Sequence, residues 1–360
     1  MIDLSAINPI LFFASMMVAA TPILLAGLGE LVVERAGVLN LGVEGMMIVG
    51  AVCGFIMATN AGSAWVGFAG AAIGGALLSL IFAVLTQYLL SNQVATGLAL
   101  TLFGLGLSAS LGQSYIGIKG PAFPDWHIPV LGDIPVIGPI VFQHDPIVYL
   151  GLLLTFGVWV FLKYSRAGLI LRAVGENHEA AHALGYKVVR VRILAILFGG
   201  ACAGLGGAYL SLVRVPQWTE GMTAGAGWIA LAIVVFASWK PGRLVLGAYL
   251  FGGVTALQLN LQAASIPLLP LLVLIAGVST AVLLVVALFK PTGARKSPLI
   301  GAACAAAFML LCYAYVVMGW PFNQTLWLSS SPYLATIVVL VVMSAGRAPG
   351  SLGRIFHASR

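Results

Sequence analysis

The chain has 360 residues, 61% of them hydrophobic and only 8% charged. A water-soluble domain carries about 25% charged residues, so this composition excludes a soluble globular protein and predicts a chain that crosses the bilayer repeatedly. The formal net charge of +7 does not indicate a nucleic-acid partner, because the basic residues lie in short loops between apolar runs, where they determine membrane topology.

Apolar runs long enough to cross a bilayer as helices recur along the whole chain. Read between polar breaks, they give eleven candidate spans at about 9–29, 40–58, 64–90, 94–112, 146–162, 193–212, 221–238, 244–262, 266–289, 298–319 and 328–345. We therefore predict an all-α polytopic membrane protein with 10–11 transmembrane helices, built as a single transmembrane domain of residues 1–360.

The second predicted span opens on an unusually polar stretch, ERAGVLNLGVEGMMIVG at 34–50. We assign Glu34 and Arg35 to a short loop, and the glycines that follow predict a broken or re-entrant helix. A membrane tolerates such a break only where protein or a water-filled path meets the exposed backbone groups. Asn40 and Glu44, four residues apart, share one helical face, which we expect to line an interior path or to brace the break.

Two loops set the expected orientation. Residues 113–145 are dense in proline and glycine, which predicts turns and short extended pieces. Residues 163–192 hold six basic residues against two acidic ones, and the positive-inside rule makes this loop cytoplasmic. Counting spans outward from it places 113–145 outside, the N-terminus outside and the C-terminus inside.

The loop 163–192 also predicts a short helix. Glu176 and Asn177 are suited to its start, and Gly185 to its C-terminal cap. The apolar face expected for this helix consists of Ala180, Ala181 and Leu184. Such a face docks into a groove on another protein, or else the helix is a solvated connector.

A zinc-protease signature occurs by spacing in this helix, since residues 178–185 read HEAAHALG. In such enzymes two histidines four residues apart hold the metal. The next ligand position is Val188 rather than a histidine, and a catalytic zinc site needs three protein ligands. We therefore expect neither a metal site nor catalytic residues.

Motifs for binding a nucleotide or for coupling to an ion gradient are missing from the sequence. It contains no GxxxxGK[ST], so we expect no nucleotide site on this chain. Secondary transporters place acidic residues or histidine deep in several spans, whereas Glu44 is the only carboxylate within the predicted spans. The glycine-rich stretch GGACAGLGG at 199–207 predicts close helix packing rather than a binding surface.

Five stretches in the same order resemble the permease subunits of bacterial ATP-binding-cassette (ABC) importers. They are ERAGVLNLGVEGMMIVGA (34–51), GLILRAVGENHEAAHALGYKVVRVRILAILFGGACAGLGGAYLSL (168–212), GMTAGAGWIALAIVVF (221–236), LGAYLFGGVTALQLNLQA (246–263) and SPYLATIVVLVV (331–342). The resemblance is to the branch of branched-chain amino acid and simple-sugar permeases, and within it to the nucleoside group. It covers most of residues 10–262 and the last thirty.

The resemblance implies a coupling role for the cytoplasmic helix. In this family the helix is seated in a cleft of a separate ATPase subunit, which binds the ATP and Mg²⁺. The residues expected at this contact are Gly175, Glu176, Asn177, Glu179, Ala180, Ala181, Leu184 and Gly185.

The resemblance also implies the rest of the assembly. A second permease, as a paralogue or another copy, would complete the membrane unit in the bacterial cytoplasmic (inner) membrane. A solute-binding lipoprotein would deliver a nucleoside or a related sugar-bearing solute outside. The same scaffold serves branched-chain amino acids and free sugars, and an ATP-independent transporter and a membrane metalloprotease are more distant alternatives.

Two departures from the family pattern stand out. Residues of about 266–322 form an atypical insertion, which we predict to be a hairpin of two extra spans. Ala226 lies where an arginine is usual in the group, so the resemblance says little about a pocket there.

A nucleoside needs hydrogen bonds to its hydroxyls and base edge and a flat apolar wall. Each polar residue within a span either contacts solute or bonds a neighbouring helix. The candidates are Asn40, Glu44, Asn92, Gln93, Thr96, Thr101, Gln258 and Asn260, with Trp228 as a stacking surface.

Overall fold

The computed structural model describes residues 8–124, 126–127, 131–263, 268–289, 296–318, 323–343 and 348–356. Within these ranges the chain is almost entirely helical. The α-helices are α1 (Pro9–Arg35), α2 (Val43–Ala61), α3 (Ala64–Ala83), α4 (Gln93–Gly112), α5 (Pro146–Tyr164), α6 (Arg166–Glu176), α7 (His178–Ala183), α8 (Val188–Tyr209), α9 (Ala226–Phe236), α10 (Pro241–Ala263), α11 (Leu268–Phe289), α12 (Lys296–Val317) and α13 (Gln324–Met343).

Several α-helices continue into tighter or wider turns. A π-helical turn extends α3 (Val84–Tyr88) and another extends α8 (Leu210–Arg214), while a 3₁₀ turn (Gln113–Tyr115) extends α4. Among the described residues, seven helices are long and apolar enough to cross a membrane: α1, α2, α3, α4, α5, α8 and α10. The predicted all-α, multi-pass architecture is confirmed.

The predicted span 221–238 is the main difference, because it is not one continuous helix. The Gly120 N–H, beyond the end of α4, donates to the Pro216 carbonyl (2.9 Å). The Thr223 hydroxyl then bonds Glu44 at the start of α2. Only α9 is helical, and its eleven residues extend about 16 Å, roughly half a bilayer core. The segment therefore consists of consecutive turns at 221–225 followed by a half-length helix.

The described residues divide into two compact units. One is drawn from residues 13–254 and 333–360, the other from residues 1–12 and 255–332. In the second unit α11 packs along α12, and the inserted region predicted at 266–322 falls within it. The first unit contains the hydrophobic clusters of buried residues and the contacts on which the proposals below rest.

The loop predicted at 113–145 has the expected irregular form. Two-residue strands β1 (Trp126–His127) and β2 (Gln143–His144) pair antiparallel. Asp145 ends the loop and caps α5, since its Oδ1 accepts the N–H groups of Ile147 (3.0 Å) and Val148 (3.2 Å). Its Oδ2 accepts the Tyr209 hydroxyl (2.7 Å), so the start of α5 is tied to the end of α8.

Close packing of α2, α3 and α8 forms the centre of the first unit, and glycine permits it. A Cβ at Gly204 would overlap the Ala71 carbonyl of α3, and a Cβ at Gly207 would overlap the Met47 carbonyl of α2. Backbones that approach this closely are typical of small-residue interfaces in membranes. The packing role predicted for the glycines of 199–207 is confirmed.

Gly207→Ala should destabilise the fold by about 1–3 kcal/mol, the usual cost of overpacking, because the neighbour of its new methyl group is rigid backbone. The matched control is Gly106→Ala in α4, where a Cβ would meet nothing within 4 Å. Thermal unfolding in detergent measures both. Equal melting temperatures for the two variants would contradict the packing role.

Candidate functional site

The predicted break between the first two spans is a buried, non-helical segment of residues 36–42. Its second residue is Gly37 at φ +82°, a backbone conformation that glycine adopts without steric cost. The assignment of Glu34 and Arg35 to a loop is wrong, because both lie in the last turn of α1. Glu34 is also buried. The helix continues farther than expected, and the break begins after it.

Side chains from α4 satisfy part of the backbone of this buried segment. The Leu39 N–H donates to Gln93 Oε1 (2.8 Å), and the Thr101 hydroxyl donates to the Leu41 carbonyl (3.1 Å). A buried backbone group without a partner costs several kcal/mol in a membrane. These two contacts therefore hold the segment in its non-helical path.

Asn40 and Glu30 satisfy the middle of the same segment. Asn40 is fully buried, and its Oδ1 accepts the Gly42 N–H (3.0 Å). Its own backbone N–H reaches Glu30 Oε1 (3.3 Å). Glu30 lies in α1, just beyond the predicted span 9–29. The prediction that Glu44 is the only carboxylate within a span is therefore wrong.

Glu44 connects the start of α2 to the start of α9. Its carboxylate accepts the Thr223 hydroxyl through Oε1 and the Gly227 N–H through Oε2, both at 2.7 Å. The first turn of a helix carries unpaired N–H groups and a positive partial charge, so a carboxylate is favourable there. A Cβ at Gly227 would clash with the Glu44 backbone, so the close approach requires glycine.

The other end of α9 is held by the last turn of α1. Arg35 donates to the Trp239 carbonyl through Nε (3.1 Å) and Nη2 (3.0 Å). The indole N–H of Trp239 donates to the Glu34 carboxylate. The half-length helix α9 is thus fixed at both ends by acidic and basic side chains that flank the buried segment.

The remaining solute candidates are dispersed. Asn92 is exposed and caps α4, while Thr96 lies against the Ser91 hydroxyl (2.9 Å). Gln93 is buried, and its Nε2 has no hydrogen-bond partner within the described residues. Trp228 is 39% exposed. Gln258 is half-buried on the part of α10 that belongs to the second unit.

The predicted cytoplasmic helix is α7. The Asn177 side chain accepts the Ala180 N–H (3.0 Å) as an N-cap, and Gly185 ends the helix at φ +89°. Leu184 is 76% exposed, and Ala180 is exposed beside it. Ala181, expected on that same face, instead is buried in the chain's own core. The outward face of α7 therefore lacks Ala181.

The two histidines of the zinc-protease-like sequence in α7 contact other side chains instead of a metal site. The Arg192 guanidinium donates from Nη2 to His178 Nδ1 (3.2 Å), and the His182 ring packs edge-on against Phe356. Burial lowers the pKa of His178, and the charge of Arg192 lowers it further. Within the described part of the chain, no three histidine, cysteine or acidic residues are grouped closely enough to hold a metal.

Comparisons with known proteins agree with this architecture. Residues 12–289 match the family described as "branched-chain amino acid transport system / permease component". The putative glucose ABC transporter permease of Haloferax volcanii is 47% identical over 256 residues, covering 70% of this chain and 78% of the relative.

Two further relatives are named as permeases for nucleosides. The guanosine ABC transporter permease of Bacillus subtilis is 35% identical, covering 70% of this chain and 82% of its own length. The nucleoside ABC transporter permease of Lactococcus lactis is 33% identical, with coverages of 68% and 80%. No solved structure matches this chain.

The family match covers well over half of the chain, and these relatives align along most of their own length. The chain belongs to the branched-chain amino acid transport system permease family, and it is the membrane-spanning permease subunit of an ABC importer.

Proposed function

We propose that the solute of this permease is a nucleoside or a related sugar-bearing molecule. The observation that carries the proposal is that relatives at 33–35% identity are named for nucleosides and guanosine, while the relative at 47% is named for glucose. All of these solutes present sugar hydroxyls. Nucleosides remain the leading candidate, and free sugars and branched-chain amino acids are the alternatives on the same scaffold.

The interior of the first unit supports a hydroxyl-bearing solute. The buried Gln93 Nε2 lacks a partner among the described residues, so it is a donor available to a hydroxyl or a base edge. Trp228 is partly exposed next to the Glu44-bound turn, where its ring offers a flat apolar surface for a base or a sugar face. Asn40, by contrast, has its hydrogen bonds within the chain.

We further propose that α7 is the coupling helix that contacts a separate ATPase subunit. Its outward surface presents exposed Glu179, Ala180 and Leu184, and 76% of Leu184 is accessible. A projecting leucine beside small residues suits insertion into a groove of a partner. ATP and Mg²⁺ would then be bound by the partner, and this chain would carry no catalytic activity of its own.

The complete importer would contain two permeases, either this chain with a paralogue or two copies of it. A solute-binding lipoprotein would dock outside, on the side of the loop 113–145. In the bacterial inner membrane the N-terminus would lie outside and the C-terminus in the cytoplasm, as the basic loop 163–192 suggests.

Uptake in cells carrying the complete importer should be competed by unlabelled guanosine and adenosine more strongly than by glucose, and not by leucine. The measurement is accumulation of radiolabelled guanosine at matched competitor concentrations, with radiolabelled glucose and leucine in parallel. Cells lacking the ATPase subunit are the control. ATPase-dependent accumulation of glucose or leucine without accumulation of guanosine would reject the nucleoside proposal.

Thr223→Val should lower uptake about tenfold or more, because a hydrogen bond to a charged group contributes roughly 1.5–3 kcal/mol and this one links α2 to α9. Glu44→Gln should act in the same direction, since it removes the negative charge from the first turn of α9. Uptake is measured at matched protein levels in the membrane.

The matched control is Thr59→Val. Among the described residues, the Thr59 hydroxyl bonds only the Phe55 carbonyl of its own helix (2.8 Å), so its removal leaves α9 in place. If Thr223→Val and Thr59→Val transport equally well, the link between α2 and α9 has no part in transport.

Leu184→Asp should abolish ATP-driven uptake and release the ATPase during purification. Losing a buried leucine contact costs about 1.5–3 kcal/mol, and burying a carboxylate costs more. Leu184→Met, which keeps the apolar volume, should retain both properties. Normal co-purification and uptake with Leu184→Asp would show that α7 is not the ATPase contact.

A further inference from the structure

The C-terminal residues 348–356 fold back onto the base of α7, and we call them the C-terminal clasp. They lie outside residues 12–289, which match the family. Gly350 approaches Glu176 so closely that a Cβ there would lie 2.6 Å from the Glu176 carbonyl oxygen. The Ser351 N–H donates to the Gly175 carbonyl (2.9 Å). The clasp thus contacts the junction between α6 and α7.

Ser351 also caps α7 from a distant part of the sequence. Its hydroxyl accepts the His178 N–H (3.1 Å), across 173 residues of chain. The first N–H groups of a helix have no partner within the helix, and a hydroxyl is a favourable acceptor for them. The start of α7 therefore depends on two caps, the local Asn177 and the remote Ser351.

Phe356 completes the inner face of α7. It forms a small buried cluster with Val174, Ala181 and Val188. Its ring packs edge-on against His178, with centroids 5.3 Å apart. This cluster explains why Ala181 points inward: the clasp covers the inner face of the helix and leaves the outer face to solvent or a partner.

Arg192 joins the clasp to the buried segment 36–42. It is fully buried, although its position in the basic loop 163–192 had placed it among the topology charges. Its Nε donates to the Ala36 carbonyl (3.3 Å), its Nη1 to the Arg354 carbonyl (3.1 Å) and its Nη2 to His178 Nδ1 (3.2 Å). One guanidinium therefore connects α7, the clasp and the first residue of the buried segment.

We propose that the C-terminal clasp and Arg192 position α7 on the buried segment, so that a displacement of α7 is passed to residues 36–42 and to α9. Fixed donors on a planar guanidinium transmit a displacement better than a flexible lysine would. Ser351, Phe356 and Arg192 are positioning residues in this scheme. The proposal rests on the proposed function, since it assumes that α7 contacts the ATPase.

The test uses the complete importer in proteoliposomes, with ATP hydrolysis and solute uptake measured together. Guanosine is the first probe, replaced by glucose if competition identifies glucose as the solute. Removing residues 348–360 should lower uptake per ATP about tenfold, within the usual range of coupling between distant sites, while ATP hydrolysis persists. Ser351→Ala should lower it about threefold, the effect of one hydrogen bond.

Two variants separate positioning from simple stability. Ser351→Thr keeps the hydroxyl and should restore coupling. Arg354→Ala keeps the main-chain carbonyl that Arg192 uses, so it should behave as the wild type. Unchanged uptake per ATP after truncation would overturn the proposal. So would a parallel fall of hydrolysis and uptake with a lower melting temperature, because that result indicates a structural role alone.

Leu184→Asp in the same assay distinguishes the clasp proposal from the assignment of α7 as the coupling helix. If it abolishes coupling while the truncated protein stays coupled, the clasp proposal fails and the coupling-helix assignment stands. If Leu184→Asp has no effect, the assignment of α7 fails and the clasp proposal fails with it.

Discussion

A chain that leaves helical geometry inside a bilayer must find partners within the protein for every exposed N–H and C=O group. Residues 36–42 meet this constraint with side chains from three neighbouring helices: Glu30 of α1, Gln93 and Thr101 of α4, and Arg192 of α8. The polar residues of these spans are therefore explained first by the break itself. Because the break lies between α1 and α2, its bracing fixes the positions of both helices.

The first unit contains two kinds of packing. At the interface of α2, α3 and α8, glycines bring backbones into contact. Such an interface deforms little, because a shift of one helix would make rigid backbone atoms overlap. α9 packs instead through buried apolar side chains, among them Ile229, Ile233 and Val234, and polar contacts hold its ends: Glu44 at its start, and Glu34 and Arg35 beyond its end. The glycine-packed interface is thus set by backbone contact, and the position of α9 by side chains.

The parts of this arrangement that depend on local signals were predictable from the sequence. Apolar runs gave the long helices, glycines marked the break, and Gly185 marked the end of α7. The discontinuous span was not predicted, because 221–238 contains no charged residue and no proline and the bond from Thr223 to Glu44 joins residues 179 positions apart. The inward orientation of Ala181 likewise depends on Phe356, which no local pattern relates to α7. The roles assigned to the solute and ATPase contacts remain predictions.

The buried carboxylates bear on how the transporter is driven. Glu30 accepts from Asn40, Glu34 from Trp239, and Glu44 from Thr223 and Gly227. Each is already an acceptor that holds a non-helical segment or a half-length helix, so exchanging protons through it would weaken that same structure. Energy supplied from outside the membrane avoids this conflict. In the proposed scheme the exposed helix α7, connected by Arg192 to the buried segment, would let the ATPase impose movement on the interior while these acceptors keep their structural task.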